Sequence, residues 1–185
     1  MFLLISKNFD VLAIDGTDLD SLNASPYYQK RVGVNRKLKD YFKLDIVTDT
    51  KTKQIVDFYV LDHFRHDSFI AKTLFRDLAF RGIIPIYLVA DRGYYAKHHY
   101  LFWKKYGTTY VVPPKKYKKT KHNSFFHKIM KETYRKFKEI YNERNLIESV
   151  FSSFKRRFKV KIRSKDSNMK VKNERVRSSI VIISL

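Results

Sequence analysis

Short apolar runs alternate with helical patterns along this chain. Residues 11–15 (VLAID) and 83–91 (IIPIYLVAD) are apolar runs that each end in an aspartate, and they predict buried strands. Residues 41–49 alternate in polarity and lead through a DTKTK turn into QIVDFYVLD, which predicts an antiparallel hairpin. Residues 108–114 predict a further strand that two prolines end.

Helical spacing predicts the elements between these strands. Ser68 is a candidate N-cap for a helix that runs to about Arg81, with Gly82 at its end. Residues 95–106 predict a second helix, which Gly107 stops. Trp103 follows helical spacing with Tyr100 and Tyr106, which indicates a position in the core rather than a side chain that stacks on DNA bases.

The pattern ends with a long helical stretch over about 125–158 and a short helix near 173–184. Turn-forming residues after the first strand predict a loop. This order of elements predicts a mixed sheet with helices on both faces. If the strands that end in Asp15 and Asp91 are neighbours, both acids lie at one sheet edge. Ligands of open α/β sheets gather at the carboxyl ends of strands.

Composition narrows the class of partner. The chain has 185 residues, 44% of them hydrophobic, without a repeat or a Gly/Ser linker, so we expect one domain over 1–185. Lysine and arginine number 39 against 18 acids, and the net charge of +21 predicts a polyanionic partner, foremost nucleic acid.

The absence of cysteine excludes disulfides and thiolate catalysis. Without a signal peptide or an apolar run of ~18 residues, we expect a cytoplasmic protein that does not act at a membrane.

Four polar residues of the long helical stretch share one predicted face. At ~100° per residue, Tyr141, Arg144, Glu148 and Lys155 lie within about 60° of arc. Such a face would present a carboxylate beside a phenol and two cations, which suits metal binding by the glutamate and phosphate contacts by the cations. Taken alone, Glu148 is also typical of a surface acid paired with Arg144 four residues earlier.

With this spacing the sequence resembles the transposases of bacterial and archaeal insertion sequences, in the four/five superfamily marked by Y-x2-R-x3-E-x6-K. IDGTDL at 14–19 and ADRGYY at 90–95 resemble the first-Asp and second-Asp segments of that family. HDS at 66–68 and VVPPKK at 111–116 are also similar to family segments. The resemblance covers about residues 11–184.

The resemblance implies an α/β, RNase H-like mixed sheet flanked by helices. It implies that Asp15, Asp91 and Glu148 are a catalytic triad that holds two divalent ions, Mg²⁺ or Mn²⁺, for which hard carboxylate oxygens are suited. It implies a DNA transposase that hydrolyses DNA at the transposon end and transfers the freed 3′-OH to target DNA. The implied partners are the double-stranded DNA of the transposon ends and target and a second copy in a homodimer on that DNA, at the nucleoid.

Several alternatives stay open. Asp15 and Asp91 are each also typical of ordinary turn acids, and Asp18 and Asp20 compete with Asp15 for any role. A catalytically inactive DNA-binding transposase remnant, or an RNase H-like nuclease without strand transfer, would share these features. Only 14 residues precede Asp15, so we expect the family's N-terminal DNA-binding region to be absent.

A lysine-rich segment supplies a second candidate contact with DNA. Residues 115–121 (KKYKKTK) hold five lysines, with aromatic residues nearby, and are typical either of a solvated loop or of a backbone-binding segment. The six histidines show no zinc-site spacing. The predicted DNA-binding residues are Tyr141, Arg144, Lys155, Lys115, Lys116, Lys118 and Lys119.

Overall fold

Five strands form one mixed sheet in the computed structural model, which describes residues 9–20, 41–61, 66–115 and 124–158. The strands are β1 (Val11–Asp20), β2 (Tyr41–Asp49), β3 (Ile55–Leu61), β4 (Tyr87–Ala90) and β5 (Thr109–Val111). Their order across the sheet is β3-β2-β1-β4-β5. The pairs β1–β2 and β2–β3 are antiparallel, whereas β1–β4 and β4–β5 are parallel. The predicted hairpin is therefore confirmed.

Helices cover both faces of this sheet in the described part of the chain. They are α1 (Asp67–Phe80), α2 (Lys97–Lys105), α3 (Phe125–Lys136), α4 (Lys138–Asn142) and α5 (Asn145–Phe158). Helices α1 and α2 pack on one face, and α5 packs on the other with α4 beside it. This arrangement is the predicted α/β, RNase H-like fold. The helix expected near 173–184 lies outside the described residues.

The central strand β1 is covered on both faces, which explains its unbroken apolar run. Leu12 and Ile14 belong to the core under α1 and α2, whereas Val11 and Ala13 belong to the core under α5. All four side chains are buried. A strand buried on both sides has no polar face to alternate with its apolar one. The same alternation decides which later residue of β1 faces which helix.

The prediction that the first strand ends at Asp15 is wrong. Strand β1 continues to Asp20, because its second half pairs with β2 beyond the point where its pairing with β4 stops, at Ile14 opposite Ala90. The fourth and fifth strands are shorter than predicted, at Tyr87–Ala90 and Thr109–Val111. A proline two residues before β4 has no N–H with which to extend the ladder.

The first helix begins one residue before the predicted cap. His66 is the N-cap residue, and its carbonyl accepts from the backbone N–H groups of the first turn, so the helix starts at Asp67 and not after Ser68. The predicted glycine stops are confirmed. Gly82 and Gly107 follow α1 and α2 with φ of 71° and 78°, a conformation that other residues rarely adopt.

The helical stretch predicted over about 125–158 is confirmed in its extent, but two bends, at Phe137 and at Glu143, divide it into three helices. At Phe137 the backbone leaves helical geometry, and its ring packs 5.2 Å from the ring of Tyr87 on β4. At the second bend Glu143 accepts a hydrogen bond of 2.6 Å from the Thr50 hydroxyl at the hairpin turn. Tyr141 therefore lies on α4, whereas Glu148 and the signature lysine lie on α5.

Candidate active site

The two aspartates of the predicted triad lie at neighbouring positions of the sheet. Ile14 on β1 pairs in parallel with Ala90 on β4, so the residues that follow them, Asp15 and Asp91, are side by side. Parallel strands lie about 4.8 Å apart. Asp91 caps the 3₁₀ turn Arg92–Tyr94 and accepts a hydrogen bond of 2.6 Å from the Gly93 N–H. The structure therefore brings these two acids together.

Helix α5 and the bend before it reach the same strand through two cations. Arg144 Nη1 lies 2.7 Å from Asp15 Oδ2, and Lys155 Nζ donates to the Thr17 hydroxyl at 2.7 Å. Asp15 and Thr17 are two residues apart on β1, so their side chains face the same side of the sheet. Both cations of the signature thus contact the strand that carries the first aspartate.

In the described part of the chain, the contact that links Glu148 to Asp15 runs through Arg144. The side chain of Glu148 is 68% exposed, and its Oε1 lies 4.0 Å from Arg144 Nη2. Arg144 in contrast is largely buried, and the guanidinium lies between Asp15 and Glu148. The helical stripe inferred from the sequence is therefore only partly realised: Arg144 and Lys155 contact β1, and Asp15 is paired with Arg144 rather than with the carboxylate of Glu148.

Tyr141 supports the arginine from α4. Its ring packs edge-on against Tyr134, with the centroids 5.0 Å apart. Burial raises the pKa of the Tyr141 hydroxyl, which the neighbouring Arg144 opposes. A neutral phenol beside a guanidinium is an acceptor that helps to orient the cation.

The environment of Asp15 disfavours its ionised form. Burial raises its pKa from 3.8 to about 6, against the opposing effects of Arg144 and the Gly16 N–H. The nearby carboxylates of Asp91 and Asp67 raise it further. Burial plus like charge is the pattern that enzymes use to hold cations or protons, since a bound cation relieves both.

A second polar group, which the sequence analysis did not identify, lies under the same sheet edge. Lys43 on β2 forms an ion pair with Asp67 at the start of α1, and their side chains are 9% and 27% exposed. Asp45, two residues along β2, is fully buried, and neither of its carboxylate oxygens has a hydrogen-bond partner among the residues that the structure describes. Burial raises its pKa to about 8, although Lys43 opposes this shift.

Two glycines make room for this group. A side chain at Gly16 would overlap the Asp45 carboxylate, and one at Gly93 would overlap the carboxylate of Asp67. Each glycine lies within two residues of a triad aspartate. The glycines that closely follow Asp15 and Asp91 in the sequence indicate that something packs tightly there. The polar side chains that do so come from distant parts of the chain, so the sequence does not identify them.

The carboxylate chemistry fits divalent cations, although the arrangement is not a finished metal site. Asp15 and Asp91 supply adjacent hard oxygen donors whose repulsion a cation would relieve. Among residues 9–20, 41–61, 66–115 and 124–158, no group of three or more acids, histidines or cysteines is close enough to hold a metal ion. Glu148 would have to displace Arg144 to complete the set.

Other residues singled out from the sequence have clear positions. Trp103 on α2 is fully buried and packs against Phe75 of α1, which confirms a core role. Lys115 is exposed, whereas Lys116, Lys118 and Lys119 lie outside the described residues. In the described part of the chain, no helix has the length and apolar character needed to cross a membrane.

One comparison with known proteins bears on this arrangement. A family model described as the transposase DDE domain matches residues 7–183 of the chain. No curated protein matches it. The matched range includes every strand and helix described above.

Proposed function

The chain belongs to the family of transposase DDE domains, and from that premise we propose that it cleaves DNA at transposon ends and transfers the freed strands, with Asp15, Asp91 and Glu148 as its metal-binding triad. The observation that carries the proposal is the adjacency of Asp15 and Asp91 at the parallel β1–β4 pair. These acids come from segments 76 residues apart in a match that spans nearly the whole chain.

In this proposal the two aspartates and Glu148 hold two divalent cations, Mg²⁺ or Mn²⁺. Such ions would polarise the attacking and leaving oxygens of a phosphodiester. Asp15 contributes a partly buried carboxylate on a strand of the sheet, and Asp91 contributes one held by the Gly93 N–H. Glu148 contributes an exposed carboxylate on α5, whose side chain can change rotamer to approach the pair.

Arg144 changes partners in the proposed cycle. In the structure its charge compensates Asp15. Cations bound at the aspartates would repel the guanidinium and leave it available to a DNA phosphate, which arginine binds bidentately. Lys155 and the lysine-rich segment that begins at Lys115 would add phosphate contacts without sequence preference. A protein with these contacts works on the nucleoid, as a homodimer when two transposon ends are joined.

Cation binding is the first test. Isothermal titration with Mn²⁺ should show binding to the wild type, and Asp91→Asn should weaken it by at least tenfold. Asp10→Asn is the matched control, since Asp10 is exposed just before β1, at the end of the strand away from Asp15, and should leave binding unchanged. If Asp91→Asn binds Mn²⁺ as the wild type does, the triad assignment is wrong.

The reaction itself is the second test. The protein, pre-cut transposon ends and a plasmid target are incubated with Mg²⁺ or Mn²⁺, and the products are separated on a gel. Joined products support strand transfer, whereas nicks alone would indicate a nuclease. Binding of the ends without any cleavage would indicate an inactive DNA-binding remnant.

A further inference from the structure

The ion pair between Lys43 and Asp67 lies beside β1, which carries Asp15, and beside the 3₁₀ turn that Asp91 caps. Lys43 is on β2, two residues from Asp45, whose strand position pairs with Gly16. A Cβ atom at Gly16 would lie 3.2 Å from Lys43 Cε, and one at Gly93 would overlap Asp67 and lie 2.9 Å from Asp91 Oδ1. The pair, together with the Asp45 carboxylate, therefore fills the space that the two glycines leave beside the triad aspartates.

The geometry at Gly93 brings Asp67 close to Asp91. The same glycine donates its N–H to Asp91 Oδ1 and packs against the Asp67 carboxylate. The charge of Asp67 also reaches Asp15, since it is one of the carboxylates that raise the pKa of Asp15. Asp67 is thus a third acid near the pair, but its partner is a lysine.

The charges of this group nearly cancel. Lys43 is positive and Asp67 negative, and both side chains are largely buried. Asp45 is mostly protonated near neutral pH, because burial raises its pKa to about 8. Removal of either member of the pair would leave a net charge near Asp15 and Asp91, with a sign that depends on which member is removed. Partly buried charges are poorly screened by salt.

We propose that the Lys43–Asp67 ion pair sets the electrostatic potential at the cation site of Asp15 and Asp91, so that Asp67 strengthens and Lys43 weakens cation binding. Both are positioning residues that act through the field and through Gly93, without contact to the cation. The inference rests on the proposed function, because it assumes that these two aspartates bind a divalent ion.

Opposite shifts in Mn²⁺ affinity test the proposal. Asp67→Asn should weaken Mn²⁺ binding and Lys43→Met should strengthen it, each by roughly tenfold, since a unit charge on the order of 8 Å from a divalent ion has an effect of this size. The double variant should bind within about threefold of its parent. All of these proteins carry Asp45→Asn, because Asp45 could otherwise ionise and compensate for the change. Titration calorimetry measures binding, and circular dichroism verifies folding.

A second ion pair at the far end of α1 provides a matched control. Arg81 Nη2 lies 2.6 Å from Asp57 Oδ2, and Arg81 follows the last residue of this helix of 14 residues, whereas Asp67 is the first. At 1.5 Å per residue this is about 20 Å away. Asp57→Asn should leave the Mn²⁺ affinity unchanged. If Lys43→Met does not fold, Lys43→Gln removes the same charge and keeps a polar end.

Each outcome decides the inference. If Asp67→Asn and Lys43→Met both weaken binding, or if neither changes it, the pair has only a structural role and the inference fails while the proposed function stands. If the wild type shows no Mn²⁺ binding that depends on Asp91, the proposed function fails and this inference with it. Opposite shifts with recovery in the double variant support both.

Discussion

Replacement of Asp15 by asparagine should make the protein more stable, although it removes a proposed catalytic group. Asparagine has nearly the shape of a protonated aspartate. The difference in the free energy of unfolding between the variant and the wild type therefore measures how much ionisation of Asp15 destabilises the folded state. The pKa of Asp15 rises from 3.8 to about 6 on folding, with burial as the main cause. A pKa raised in the folded state means that ionisation of this acid favours the unfolded state.

The size of the effect follows from the pKa shift. About two units correspond to about 3 kcal/mol at pH 8, where Asp15 is ionised in both states. The destabilisation falls to about half of this value at pH 5 and nearly vanishes at pH 4. At such pH values Asp15 is protonated in the folded state, and it becomes increasingly protonated in the unfolded state as well. For a chain of this length, 3 kcal/mol corresponds to a change in melting temperature of about 6–12 °C.

Urea unfolding followed by circular dichroism, at constant ionic strength between pH 4 and pH 8, measures this difference. Asp15→Asn should gain stability over the wild type as the pH rises from 4 to about 7 and keep a constant advantage above that. Glu148→Gln is the control: its side chain is 68% exposed, so its effect should stay within about 0.5 kcal/mol. If Asp15→Asn is less stable than the wild type at pH 8, the attraction of Arg144 outweighs burial and the reasoning is refuted.

Three further substitutions test the packing and the DNA contacts. Gly93→Ala should destabilise the fold by about 1–3 kcal/mol and weaken Mn²⁺ binding, because its methyl group would overlap Asp67; unchanged Mn²⁺ affinity in calorimetry would contradict this. Phe154→Ala should lower the free energy of unfolding by about 3–5 kcal/mol, since Phe154 is 2% exposed and packs from α5 into the core against the sheet; a loss below 1 kcal/mol in urea unfolding would show that α5 is loosely docked. Lys155→Met should leave stability nearly unchanged and reduce the salt dependence of DNA affinity, measured by fluorescence anisotropy, by about one counterion; an unchanged slope would mean that Lys155 makes no phosphate contact.

Much of the fold could be predicted because the patterns involved are local. Alternation and apolar runs record which residues are buried in the sheet, and so the hairpin and the buried strands β1 and β4 follow from the sequence. The bends at Phe137 and Glu143 could not be predicted, since they coincide with contacts to Tyr87 on β4 and to Thr50 in the hairpin turn, which are far away in the sequence. Helical periodicity continues across such bends and gives no sign of them.

The sequence by itself determined the fold class, the identity of the acids and the adjacency of Asp15 and Asp91 once their strands were taken as neighbours. Only the tertiary structure decided what surrounds those acids. Arg144, 129 residues away from Asp15, lies between it and Glu148, and the pair of Lys43 and Asp67 lies against Gly16 and Gly93, the glycines that closely follow the two aspartates. Charges paired across the fold leave no periodic trace in the sequence, because each pair depends on how separate elements dock and on which groups this docking removes from water.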